Sequence, residues 1–124
     1  MIVPKCHILI VEDEPDLRET LGELLTLKGF TCSLAANGRE ALACLQRHPP
    51  PQVVLLDLMM PVMSGWEFLQ ELEQENGLPA QPTIVITSAV ADLSELTKRY
   101  SCPVLQKPVD LARLLNLIEG ACRG

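Results

Sequence analysis

Apolar and polar positions along the chain follow two alternating rhythms. Short runs of consecutive apolar residues give way to stretches in which apolar residues recur every three or four positions, as they do on one face of a helix. The runs cover 6–11, 31–35, 52–56, 83–87 and 103–106. The first and third are nearly unbroken, as expected of central strands covered on both faces. Five strand-like runs alternating with helical stretches predict a parallel sheet with helices on both sides.

The helical stretches carry their own punctuation. Leu17, Leu21, Leu24 and Leu25 follow Pro15, a residue suited to the first helical position because its missing N–H would have no partner there. That helix ends near Gly29. A second carries Ala41, Leu42 and Leu45, and a third begins at Ser64, where Ser64 and Glu67 have capping-box spacing. Its inner face is read as Trp66, Leu69 and Leu72, with Phe68 open to either side. A short, weakly amphipathic helix over 92–99, bearing Leu93 and Leu96, is expected to be mobile. Asp110 caps the last helix, whose Leu111, Leu114, Leu115 and Ile118 repeat at i, i+3, i+4 and i+7.

Composition narrows the classes. A chain of 124 residues suits one domain over residues 1–124, and such a chain hides roughly two-thirds of its surface on folding. A hydrophobic content of 48% with only 3% aromatic residues predicts an aliphatic core. The net charge of -6 argues against a nucleic-acid surface, which needs a basic patch. No apolar stretch approaches the roughly 20 residues of a membrane span, and no signal-peptide pattern opens the chain, so a cytoplasmic protein is expected. Cys6, Cys32, Cys44, Cys102 and Cys122 are odd in number, scattered and without a C-x-x-C pair. They are read as reduced, mostly packed thiols. His7 and His48 share no ligand spacing and are assigned no chemistry.

The candidate chemistry gathers at strand ends. Glu12 and Asp13 end the first run, Asp57 the third and Thr87 the fourth, while Lys107 follows the fifth. In open parallel sheets functional groups collect outside the carboxyl ends of the strands, where the strand order reverses. Taken singly, Asp57 reads as a turn or cap residue, Glu12-Asp13-Glu14 as acidic loading of a helix start, Thr87 as a strand residue and Lys107 as a solvated cation. Their coincidence at one end of the sheet asks for more. Carboxylates about 4 Å apart repel by roughly 4 kcal/mol at an effective dielectric near 20, so three need a compensating cation. All-oxygen ligation suits Mg2+. With Mg2+ and Lys107 neutralising phosphoryl oxygens and the Thr87 hydroxyl bonding one of them, Asp57 becomes a nucleophile that would form an aspartyl phosphate.

On these residues the chain resembles a response-regulator receiver domain of two-component signalling, and the likeness covers essentially the whole chain. The resemblance matches the family's acidic pair to Glu12 and Asp13, its phospho-acceptor to Asp57 in D-L-M-M-P-V-M-S-G, its switch hydroxyl to Thr87 and its Lys-Pro motif to Lys107-Pro108. It implies a flavodoxin-like (βα)5 doubly wound sheet of order 2-1-3-4-5 and a metal contact from the Met59 backbone carbonyl. It also implies a phosphoryl donor that is a histidine kinase or a histidine phosphotransfer protein, an output partner protein, and a monomer or phosphorylation-dependent dimer. The chain's ends suit a stand-alone regulator as well as a receiver cut from a longer protein.

Two departures from the family's pattern bear on output and lifetime. The aromatic residue usual three positions before the Lys is Val104, and Val109 replaces the aromatic that often follows Lys-Pro. Thr87 is therefore expected to signal through the loop after the fourth strand and the short helix beyond it. The positions two after the acceptor and two after the Thr, which the resemblance says tune phosphoryl lifetime, are Met59 and Ala89. Neither orients water, so slow self-dephosphorylation is expected. Competing classes fit less well. A haloacid-dehalogenase-like phosphatase needs an acid at position 59, and a flavin or nucleotide binder needs a small-residue phosphate loop where Glu12-Asp13-Glu14 stands. A degenerate receiver, an interaction surface without phosphorylation, is the remaining alternative.

Overall fold

The two most apolar runs become the centre of the sheet. In the computed structural model, which describes residues 6–47, 50–60, 62–74, 82–89 and 102–123, the strands are β1 (His7–Val11), β2 (Thr31–Ala35), β3 (Val53–Asp57), β4 (Thr83–Ser88) and β5 (Val104–Gln106). They are all parallel and ordered β2-β1-β3-β4-β5. The helices among the described residues are α1 (Pro15–Leu27), α2 (Gly38–Leu45), α3 (Gly65–Gln74) and α4 (Leu111–Arg123). The short helix expected over 92–99 lies outside the described residues, as do His48, Pro61 and Tyr100.

Alternation along each strand divides the apolar side chains between two layers. Leu9, Val11, Val54, Leu56 and Ile86 face α2 and α3, meeting Ala41, Leu45, Phe68, Leu69 and Leu72. Ile8, Ile10, Val53, Leu55 and Val85 point the other way, toward Leu21, Leu25, Leu114 and Ile118 of α1 and α4. A strand buried on both faces has no place for polar side chains, which is why β1 and β3 read as continuous runs. Burying each such side chain contributes roughly 1.5–3 kcal/mol.

Helix starts follow the caps. Pro15 opens α1. The Ser64 hydroxyl accepts from the Glu67 amide at 3.2 Å, and the Glu67 carboxylate accepts from the Ser64 amide at 3.1 Å, completing the capping box. An Asp110 oxygen accepts from the amides of Ala112 (3.0 Å) and Arg113 (3.3 Å). Asn37, unremarked in the sequence, caps α2 by accepting from the Glu40 amide at 3.0 Å.

Two expectations are corrected. Phe68 is fully buried with Leu69 and Leu72, while Trp66 is only partly covered. Trp66 packs against the same cluster from its margin, so the inner face is wider than expected and its deepest residue is Phe68. The five cysteines are also not all separate thiols: Cys6 and Cys122 are joined as a disulfide, their Cα atoms 5.9 Å apart across 116 residues of sequence. Packing of α4 on β1 creates that proximity, and no local spacing announces it. Cys32, Cys44 and Cys102 are free.

Among the described residues no helix is long and apolar enough to cross a membrane. The chain crosses from the β2 side of β1 to the β3 side, so the strand order reverses between β1 and β3. A crevice opens there, at the carboxyl ends of the strands.

Candidate functional site

Register brings the predicted residues to that crevice. Val11 pairs with Leu56, Asp57 with Thr87, and Thr87 with Leu105. Glu12, Asp57, Thr87 and Lys107 therefore sit on four adjacent strand ends. Glu12 and Asp57 are buried, at 3% and 4% exposure. Carboxylate oxygens of Glu12, Asp13 and Asp57 all lie within 4.8 Å of one another, Asp13 being the most open of the three.

Lys107 reaches over this cluster. Its ammonium lies 2.6 Å from a Glu12 oxygen and 3.3 Å from Asp57 Oδ2. The bond from the Lys107 amide to the Ser88 carbonyl, 2.8 Å, fixes where the side chain departs from the end of β5. The other Asp57 oxygen, Oδ1, accepts from the Met59 amide at 3.3 Å. Arg18, a turn into α1, donates to the carbonyls of Glu12 at 2.9 Å and Asp13 at 3.4 Å, holding the acidic turn in place. Sequence reading passed over Arg18; its only signal is a cation one helical turn after an acidic strand end.

The turn into α3 is equally constrained. A Cβ on Gly65 would stand 2.7 Å from the backbone oxygen of Asp57 and 2.7 Å from Leu58 Cα, so only glycine lets α3 pass this close to the strand end. Val62 holds a φ of 68°, a left-handed conformation costly for a β-branched residue. Met60 is buried as core filler, whereas the Met59 side chain is 62% exposed beside the site. The Thr87 hydroxyl is buried and donates to the Leu56 carbonyl at 3.4 Å, a long bond that is readily given up.

Electrostatics follow from this crowding. Burial, the neighbouring Glu12 charge and hydrogen bonding with Glu12 push the Asp57 carboxyl up to about 7, against the opposing pull of Lys107 and the Met59 amide. Burial alone would lower Lys107, but its contacts with Glu12 and Asp57 outweigh that and raise it above the ordinary lysine value. The three carboxylates are hard oxygen donors in one small cluster, and that donor set fits a Mg2+ ion with open positions for further oxygens.

A parallel doubly wound sheet with an acidic, lysine-bridged crevice at the point where its strand order reverses defines a flavodoxin-like fold. The chain belongs to the response regulator receiver domain family, whose profile matches residues 8–119, and is thus the receiver of a two-component response regulator. A response regulator receiver protein of Anaeromyxobacter sp. (strain Fw109-5) is 40% identical over 88% of this chain and 45% of its own length. Response regulator RR06 of Streptococcus pneumoniae serotype 2 is 32% identical over 94% of this chain and 53% of its own. Response regulator TrrA of Thermotoga maritima, solved in complex with Mg(2+)-BeF, superposes with a TM-score of 0.78 at 26% identity, covering 94% of this chain and 98% of that one. Other relatives carry the name of transcriptional regulators. The chain spans about a third to a half of the length of the first curated relatives it matches. Receiver domains are signalling modules that interact with histidine kinases, and the family binds Mg2+ at its acidic pocket.

Proposed function

We propose that residues 1–124 form one receiver domain in which Asp57 accepts a phosphoryl group from a histidine kinase or a histidine phosphotransfer protein, with Mg2+ held by Glu12, Asp13, Asp57 and the Met59 carbonyl. The observation that carries this reading is the buried Asp57 carboxylate, clustered with two further carboxylates and 3.3 Å from the Lys107 ammonium. An Asp57 oxygen attacks phosphorus, the P–N bond to the donor imidazole breaks, and the imidazole keeps the electron pair. Mg2+, when bound, neutralises phosphoryl oxygens and lowers the cost of bringing an anion to an acidic crevice. Lys107 pairs with another phosphoryl oxygen, leaving Glu12 to the metal. The Thr87 hydroxyl turns from the Leu56 carbonyl toward the new phosphate, and that movement at the end of β4 changes the surface offered to an output partner. The Mg(2+)-BeF complex of the Thermotoga relative supports the metal part of this reading. The net charge of -6 favours a protein partner over nucleic acid for these residues.

Intact mass after incubation with acetyl phosphate and Mg2+ tests the proposal. One phosphoryl adduct is expected, lost on chelation of Mg2+ and absent in Asp57→Asn. An unmodified parent chain would instead assign the fold to an interaction module without phosphorylation.

A further inference from the structure

At the opposite end of β1 from the acidic crevice, the start of the sheet meets the last turn of α4. Ile8 and Ile10 of β1 share one apolar cluster with Leu114 and Ile118 of α4, and Cys6 and Cys122 pack at its edge. This packing sets their Cα atoms 5.9 Å apart, inside the range of roughly 4.4–6.8 Å that a disulfide spans without backbone movement. Both residues are half-buried, covered enough to be held and open enough to meet a small reagent. We propose that Cys6 and Cys122 are a reversible redox modification site, whose disulfide clasps the C-terminal turn of α4 to the start of β1.

The other thiols are poorer candidates. Burial raises Cys32, Cys44 and Cys102 above the ordinary thiol range, which removes thiolate and slows attack on an oxidant. What singles out Cys6 and Cys122 is geometry: the fold holds these two within disulfide span of each other, so oxidation of one can be resolved by the other. One thiolate of the pair attacks a sulfur of a small-molecule disulfide such as oxidised glutathione, breaking that S–S bond and releasing one small thiol. The second then attacks the protein sulfur of the mixed disulfide and releases the other small thiol. Two protein thiols are oxidised, one external disulfide is reduced to two thiols, and a dithiol reductant runs the exchange backward. In a compartment that keeps thiols reduced, such a pair reports oxidation rather than standing as a permanent staple.

Two consequences follow. The link spans 116 residues, nearly the whole chain, so it restricts the unfolded ensemble strongly and raises the melting temperature of the oxidised form. Five residues of β1, about 17 Å at strand rise, separate the clasp from Glu12, so phosphoryl adduct formation proceeds alike in both redox states. Failure of the redox proposal is thereby distinguishable from failure of the phosphoryl one.

The full chain, treated with oxidised glutathione, denatured, alkylated with N-ethylmaleimide and weighed, should carry three alkyl groups, on Cys32, Cys44 and Cys102. Peptide mapping should yield one Cys6–Cys122 cross-link, and dithiothreitol should restore five alkylated sites. The oxidised chain should melt at least about 5 °C above the reduced chain, a difference that Cys122→Ser abolishes. Five alkylated cysteines after oxidation, a cross-link through Cys32, Cys44 or Cys102, or a covalent dimer would each overturn the assignment. The mass and mapping readouts use the unsubstituted chain, so they decide the matter even where the variant folds poorly.

Discussion

As the proposed phosphoryl acceptor, Asp57 would meet two opposed demands: burial to exclude water from a phosphate and ionisation to attack. Burial first, and then the neighbouring Glu12, push its carboxyl up to about 7 in the absence of metal. A carboxyl whose folded value lies above its unfolded one binds more protons when native. Its stabilising contribution is complete below about pH 4 and is lost as pH rises through 7. Chemical denaturation of the metal-free chain should therefore give higher stability near pH 5 than near pH 8. Asp57→Asn should flatten that slope and gain roughly 1–3 kcal/mol at pH 8. An equally steep slope in the variant would contradict the assignment of the titrating group. Met59, exposed beside the acceptor, offers water no hydrogen bond. Met59→Asn should shorten the lifetime of the adduct several-fold, as followed by its decay in mass spectra.

Among the elements, the strands were the easiest to read. Every predicted strand lies within one residue of its observed bounds at each end, because burial on both faces forbids polar interruption in β1 and β3. Helix faces were harder. Both aromatics of α3 pack against one cluster, and periodicity without a partner surface could not rank the fully buried Phe68 above Trp66. The four acidic and basic groups of the crevice were legible from strand ends alone. Arg18 was not, since it grips backbone carbonyls, which carry no sequence signature. The turn between β3 and α3 is the most demanding element, and Gly65 is its key. Gly65→Ala presses a Cβ into the Asp57 backbone, so it should cost roughly 1–3 kcal/mol in denaturant unfolding and slow adduct formation as the acceptor shifts. The corresponding Cβ at Gly38 meets mainly the flexible Met63 side chain, and Gly38→Ala should be the milder change.

For the molecule as a whole, the reversal of strand order between β1 and β3 makes one end of the sheet chemical and leaves the other structural. That division explains why Cys6 and Cys122 escaped the sequence: they meet at the structural end, through contacts between the first strand and the last helix. The Lys107 ammonium has a different standing. Because it bridges Glu12 and Asp57 at 2.6 and 3.3 Å, the folded chain arrives with an internal counter-ion already seated among its acids. Under the proposed metal site, a divalent cation would have to exchange with the Lys107 ammonium and with a proton on Asp57 rather than fill an open seat. Apparent Mg2+ affinity should then rise about tenfold per pH unit well below 7 and level off above it, with proton release per ion falling from about one to none across that range in calorimetric titrations run in buffers of different ionisation enthalpy. A flat profile would mean that Asp57 is already ionised and that the seat is open. On that reading, acidification would withhold the metal from the crevice while leaving the fold intact.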